Sequence, residues 1–251
     1  MIRVAVAGAL GRMGTIARSA VREADDLEYV GGFARRSVPQ ERIVDDLEAL
    51  LASTAPDVLV DFTTYPTTLE VAHAAITQGV STVVGATGWS DRERGELERA
   101  AIERGVGAML VPNFAVGAVL MMRFAEEAAR FFPTAEIVEI HHDGKRDKPS
   151  GTANLTAERV AGAGGPAEVP IHSVRLRGAV AHQEVLFGNT GEMLTIRHDS
   201  LSRESFAAGI VYAVRHVREL RGLSVGLQLD WSFDKLTMRT ESGVTTHEGM
   251  E

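Results

Sequence analysis

"VAVAGALGRMG", residues 4–14, decides the fold. Four apolar or small residues run into a glycine and read as a buried strand. Glycines follow at 8, 11 and 14, and a helix opens near Arg12. The spacing is G-x-x-G-x-x-G, so the usual G-x-G-x-x-G dinucleotide fingerprint is not met. The physical demand is the same. A backbone must turn tightly, approach a pyrophosphate closely, and present the free N–H groups of a helix start. Arg12 adds a cation that can meet phosphate. A glycine-rich turn with only a packing role is the plainer alternative, and the rest of the chain argues against it.

Outward from this turn, strands and helices alternate. "LEYVGGFA" (27–34), "DVLVDFT" (57–63), "STVVGATG" (81–88) and "VGAMLVPNF" (106–114) read as strands. Helices are expected at 12–23, 40–52, 66–78 and 90–104, with Pro66 suited to a first helical turn. This rhythm predicts a parallel sheet with helices on both faces, a Rossmann domain. After Phe114 it changes. A long apolar-striped helix (115–132) stops at Pro133. A strand (135–142), a helix (152–161), three strands separated by glycine turns (171–178, 181–189, 192–200) and a helix (203–220) follow. That is a second, α+β unit with an antiparallel or mixed sheet. Residues 223–236 are expected to return to the first sheet, and the end of the chain to be a loose tail. The expected division is therefore 1–114 with 223–251 for the dinucleotide, and 115–222 for substrate.

Composition excludes several functions. With no cysteine, disulfides, thiolate metal sites and cysteine nucleophiles are impossible. A net charge of −8 argues against a general nucleic-acid binder while leaving room for a local basic site. No apolar run approaches the roughly 18 residues that a membrane span needs. The start of the chain lacks a secretory pattern, so a cytoplasmic protein is expected. The end of the second strand is informative about the cofactor. An acidic residue there would hold a ribose 2′-hydroxyl. This chain has Arg35 and Arg36 instead, two guanidiniums that can meet a 2′-phosphate or remain a solvated surface pair; the first reading favours NADPH.

The second informative stretch is "EIHHDGKRDKPSGTA" (139–153). Neighbouring residues of a strand face opposite sides, so His141 and His142 cannot readily share a metal inside one. They are expected at a strand end, where the chain turns through Asp143 and Gly144. A third metal ligand at convincing spacing is lacking, although Asp143, His172, His182 and His198 are available. Lys145 adds a cation nearby. In "PSGT", Ser150 or Thr152 can cap the next helix, and the N–H groups of Gly151 and Thr152 can hold a carboxylate. Together these features point to a small dicarboxylate ligand and a proton-donating histidine.

This block resembles the signature of the dihydrodipicolinate (4-hydroxy-tetrahydrodipicolinate) reductases. The likeness extends to "GALGRMG" (8–14), "DFTTYP" (61–66), "GATG" (85–88), "VPNFAVGAVL" (111–120), "HQEVLFG" (182–188) and "RESFAAG" (203–209). It implies reduction of a cyclic imine dicarboxylate with NADPH or NADH, on the diaminopimelate route to lysine. It implies His141 as general acid, and Lys145 as carboxylate ligand and partner in proton donation. His142, Ser150, Gly151 and Thr152 would bind substrate. Gly8, Ala9, Leu10, Gly11, Arg12 and Met13 would cradle the pyrophosphate. Gly85, Ala86, Thr87, Val111, Pro112, Asn113 and Phe114 would line the nicotinamide end. It also implies a homotetramer built through the second sheet. The chain departs from the family at Ala86, where a threonine is usual, so this chain offers no hydroxyl there for a substrate contact. It also lacks the acidic residue after the second strand. Rival readings are a related aspartate or diaminopimelate dehydrogenase, which would not need the His-His-x-x-Lys and Ser-Gly-Thr block, and a nucleotide-sensing regulator, which predicts a degraded second site.

Overall fold

The computed structural model describes residues 1–229. Its larger sheet has seven strands in the order β11-β6-β5-β4-β1-β2-β3, all parallel. These are β1 (Ile2–Ala7), β2 (Leu27–Phe33), β3 (Ile43–Val44), β4 (Val58–Asp61), β5 (Ser81–Val84), β6 (Gly107–Leu110) and β11 (Gly222–Val225). Helices α1 (Arg12–Glu23), α2 (Leu47–Thr54), α3 (Thr67–Thr77) and α4 (Asp91–Arg104) connect them. The period of two along β1 explains the two-sided core. Val4 and Val6 join Val58, Val60, Val83 and Met109 on one face. Ala5 and Ala7 join Leu59, Leu50 and Val71 on the other. Burying each Val or Leu contributes about 1.5–3 kcal/mol, and because both faces of β1 are apolar the strand is buried on both sides.

Strand order reverses at β1, flanked by β2 and β4, and this is the switch point where such sheets bind ligands. Gly8 ends β1 with φ 71°, a left-handed conformation open to glycine. A Cβ on Gly14 would stand 2.1 Å from the Gly8 carbonyl oxygen, so α1 can rest on the turn only with a bare α-carbon there.

Three elements differ from expectation. The helix expected over 40–52 is a 3₁₀ turn at Pro39–Glu41, then strand β3, then α2. The β-branched pair Ile43-Val44 extends the sheet edge beside Gly32 and Phe33, and Asp46 caps α2 by accepting from Ala49 N at 2.9 Å. The helix expected over 203–220 splits into a 3₁₀ turn (Arg203–Phe206) and α7 (Ala207–Val217). Grouped in the sequence with the second unit, α7 instead packs on α1, β4, β5 and β6 of the larger sheet. Its stripe of Ile210, Ala213, Val214 and Val217 fills that core, and Arg215 clasps Asp26 at 2.7 and 2.9 Å. The chain does return to the first sheet, through β11 beside β6. Residues 230–236 of that stretch and the tail beyond lie outside the described residues.

The smaller sheet has the order β10-β9-β7-β8 and is mixed. Its strands are β7 (Thr134–His141), β8 (Ile171–Arg175), β9 (Ala181–Asn189) and β10 (Glu192–Ser200). Helices α5 (Val116–Ala129) and α6 (Gly151–Gly162) pack together, and α5 covers the inner face at β9 and β10. Ala135 and Ile137 on β7 meet Val185 and Phe187 on β9, in an apolar cluster continuous with the Val4–Val6 face of the larger sheet. The next inward position on β7 is occupied by a carboxylate, Glu139, which is fully buried.

Candidate active site

Two cavities flank Phe62, which lines both. The first, of about 870 Å³, lies over the phosphate turn. Gly8, Leu10 and Gly11 form one side, and Arg35 and Arg36, exposed just past β2, form the other. Its lining contains no carboxylate. Helix α1 begins there at an N-cap, Gly11, that has no side-chain cap and no acidic residue in its first turn. Its first N–H groups and positive dipole end are thus left for an anion. A tight glycine cradle, an uncapped helix start and two guanidiniums fit a nicotinamide dinucleotide.

The second cavity, of about 360 Å³, lies between the two sheets. Met13, Gly85, Pro112, Asn113 and Phe114 come from the dinucleotide side, and His141, His142, Lys145 and Thr152 from the other. Strand β7 ends at His141, so the turn that follows lets both histidines reach one space. Lys145 Nζ donates to both oxygens of Asp147 at 2.7 and 2.9 Å. Asn113 joins the sides: its Nδ2 donates to Thr152 Oγ1 at 3.2 Å, and its Oδ1 accepts from Ala115 N at 2.9 Å. Phe62 and Phe114 tilt against each other with ring centroids 5.2 Å apart. The lining again holds no carboxylate, although the chain as a whole carries a charge of −8.

Some expected residues lie elsewhere. Ala9 and Val111 are buried in the larger core and reach neither cavity by side chain. Ser150 is also buried: its hydroxyl caps α6 by accepting from Ala153 N at 3.2 Å. That settles the capping alternative in favour of Ser150 over Thr152 and leaves Thr152 facing the cavity. Arg12, Gly151 and Thr87 are exposed, and Ala86 packs near α4. Sequence reasoning missed Phe62, His198 and Arg203 as cavity residues. Phe62 and Arg203 lie inside quoted motifs, but nothing in their spacing says that loops from different sheets converge. Among the described residues, no cluster of three His, Asp or Glu side chains is placed to share a metal ion.

Beneath the cavity, His141 Nδ1 lies 2.5 Å from Glu139 Oε2. Arg175 grips Glu139 with two bonds of 2.8 Å, and Ser150 N donates to Oε1 at 3.3 Å. Burial alone would push the Glu139 carboxyl up, but the Arg175 guanidinium, with Ser173 and His141, holds it below its ordinary value. Burial pushes the His141 imidazole below its usual range; Glu139 opposes this, while Lys145 and Arg175 add to it. Burial likewise lowers His198.

A parallel sheet with a dinucleotide cradle at its switch point, joined to a cationic cavity on a second sheet, defines a nicotinamide-dependent oxidoreductase. Two family models cover nearly the whole described chain: dihydrodipicolinate reductase N-terminus over residues 2–114 and C-terminus over 117–228. The chain belongs to the dihydrodipicolinate reductase family. It is 46% identical to the 4-hydroxy-tetrahydrodipicolinate reductase of Moorella thermoacetica, over 90% of this chain and 97% of that one. With the enzyme of that name from Cutibacterium acnes it shares 45% identity, over 91% and 98%. A dipicolinate-bound dihydrodipicolinate reductase from Paenisporosarcina sp. TG-14 superposes with a TM-score of 0.82 at 37% identity, covering 90% of this chain and 98% of that structure.

Proposed function

We propose that this protein reduces 4-hydroxy-tetrahydrodipicolinate to tetrahydrodipicolinate, on the diaminopimelate route to lysine, with the second cavity as its substrate site. One observation carries the reading: a cavity lined by Lys145, Arg203 and four histidines, and by no carboxylate, opens beside the dinucleotide groove of an acidic protein. Such a lining favours a small dianion. The dipicolinate of the Paenisporosarcina structure is a ligand of that class.

When bound, the reduced nicotinamide would supply hydride to the conjugated imine that remains once the substrate's 4-hydroxyl has departed as water. Lys145 takes one carboxylate, exchanging Asp147 for it, and Thr152 with the N–H groups that open α6 takes the other. Asn113 fixes the Thr152 hydroxyl. His142 adds a donor, and Phe62 and Phe114 keep water from the face where hydride arrives. His141 delivers the proton that the reduced skeleton needs. A general acid of this kind contributes about 10²–10⁴-fold.

Arg35 and Arg36, with no acid near them in the groove, support NADPH as the better cofactor, with NADH also accepted. Homotetramer assembly through the smaller sheet is supported by its outer face. Val138, Ile140 and Leu186 share that face with the exposed Val174 and Met193. Residues 115–200 form the substrate and assembly unit in this reading. No helix among the described residues is long and apolar enough to cross a membrane, and a cytoplasmic site of action fits the pathway.

The test is oxidation of NADPH and NADH in parallel, with substrate made in situ from pyruvate and aspartate semialdehyde. Turnover with NADPH preferred, the preference falling in Arg35→Ala/Arg36→Ala, is expected. Tight NADPH binding without turnover would return weight to a nucleotide sensor.

A further inference from the structure

Glu139 stands where the smaller sheet's alternation calls for an apolar side chain. Ala135 and Ile137 precede it on the same face of β7, and it has no exposed surface. A buried carboxylate without partners is costly, so its partners state its purpose. Oε1 accepts from Arg175 and from Ser150 N, and Oε2 accepts from Arg175 and faces His141 Nδ1. A carboxylate held twice by a guanidinium is ionised and can only accept. Nδ1 of His141 must therefore carry a hydrogen in either charge state of the ring. Nε2 is the nitrogen left for the cavity.

We propose that Glu139, clamped by Arg175, is the positioning residue of this site: it pins the His141 proton to Nδ1, aims Nε2 at the substrate and sets how readily the ring holds its second proton. Arg175 extends the device to the substrate loop. Its Nη2 donates to Asp147 O at 2.7 Å and its Nε to Lys145 O at 3.3 Å, so one guanidinium ties the Lys145 segment to the carboxylate that orients His141. The arrangement is a balance. The Glu139 charge draws a proton onto His141, and Arg175 weakens that pull. Lys145, paired with Asp147, lies nearby, and His142, His182 (paired with Asp199), His198 and Arg203 line the same cavity. Those neighbours are common to every variant below, so differences between variants isolate Glu139 and Arg175.

The kinetic consequence rests on His141 as general acid; the spectroscopic one does not. Protein labelled with ¹⁵N-histidine would be titrated by NMR, with His141→Asn assigning the His141 resonances, beside the pH profile of turnover. In the native enzyme above its midpoint, His141 should be the Nδ1–H tautomer. Glu139→Gln should mix the tautomers and lower the midpoint by about 1–2 units, the effect of removing an opposite charge at this range. Arg175→Met should raise it, because the Glu139–His141 pair then holds its proton to higher pH whichever member carries it. The alkaline limb of turnover should move the same way in each variant. If Glu139→Gln does not fold, Glu139→Gln/Arg175→Met removes both buried charges, and its midpoint should lie below that of Arg175→Met alone. An unchanged midpoint and tautomer across the variants would overturn the proposal, even if activity fell. Spectroscopic shifts with an unmoved alkaline limb would uphold it and instead remove His141 as the general acid.

Discussion

Replacing Gly14 with alanine puts the phosphate cradle under a calculable load. The new Cβ would stand 2.1 Å from Gly8 O and 2.8 Å from Ala9 Cα, both backbone atoms. Relief from 2.1 Å to an ordinary contact of 3.4 Å requires a movement of roughly 1.3 Å, more than a packed interior gives freely. Gly8 has no room to retreat: a Cβ on it would itself lie 2.6 Å from Phe62 O, and its carbonyl accepts Gly11 N at 2.8 Å. The displacement must therefore open the turn or lift the start of α1, the two features that face the pyrophosphate. Overpacking of this kind costs about 1–3 kcal/mol. If it falls on the bound state, NADPH affinity drops roughly 5- to 150-fold. Calorimetric titration with NADPH would measure the loss, and pyridine-2,6-dicarboxylate would report on the second cavity in the same sample. Weakened NADPH binding with the dicarboxylate affinity retained is expected. A Gly14→Ala protein that binds NADPH like the native chain would refute the cradle assignment.

Lys145→Met removes one cation beside a dianion, and dicarboxylate affinity should fall about 10- to 100-fold, the value of one charged hydrogen bond; calorimetry with pyridine-2,6-dicarboxylate checks it, and an unchanged affinity would take Lys145 out of the site. Asp61 is buried and its carboxyl is raised above the ordinary 3.8, burial outweighing its bonds from Thr68 Oγ1 (2.5 Å) and Thr63 N (2.7 Å). The folded state therefore binds the extra proton, and this group's contribution to stability falls as pH rises from 3.8 through the raised value. Urea melts across that range should show native stability declining relative to Asp61→Asn, whereas a relative rise would reverse the sign of the argument. Gly95, inside α4, has only the Arg99 side-chain tip within reach of an added Cβ, at 3.5 Å. Gly95→Ala should stabilise the protein by about 0.5–1 kcal/mol through helix propensity, visible as a higher Tm with unchanged turnover.

The larger sheet was legible because its strands are buried on both faces and read as apolar runs. The turn after β1 was legible because only glycine tolerates the approach of Gly14 to Gly8. The helix misplaced over 40–52 shows the limit: Ile43-Val44 is too short to carry a period, and only the free edge of β2 makes it a strand. Helix α7 was recognised as a helix but assigned to the wrong sheet, because an apolar stripe says that a face is buried and not against what. At the site, the His-His-x-x-Lys block was legible as two histidines and a lysine around one space, and all three line the second cavity. Ser150 was read both as a helix cap and as a ligand, and its buried hydroxyl caps α6; sequence alone does not show how one hydroxyl divides between a helix N–H and a substrate. Glu139 on β7 and Arg175 on β8 meet beneath the cavity that Arg203 lines from the turn before α7, and only tertiary pairing brings the three elements together.

The central claim is that the acid-free cavity holding His141 is where reduction is completed, and the most direct measurement is turnover of His141→Ala beside its affinity for pyridine-2,6-dicarboxylate. The account predicts turnover lowered by about 10²–10⁴-fold with dicarboxylate and NADPH still bound, the signature of a lost proton donor in an intact site. Native turnover in this variant would contradict it and move the proton transfer away from His141.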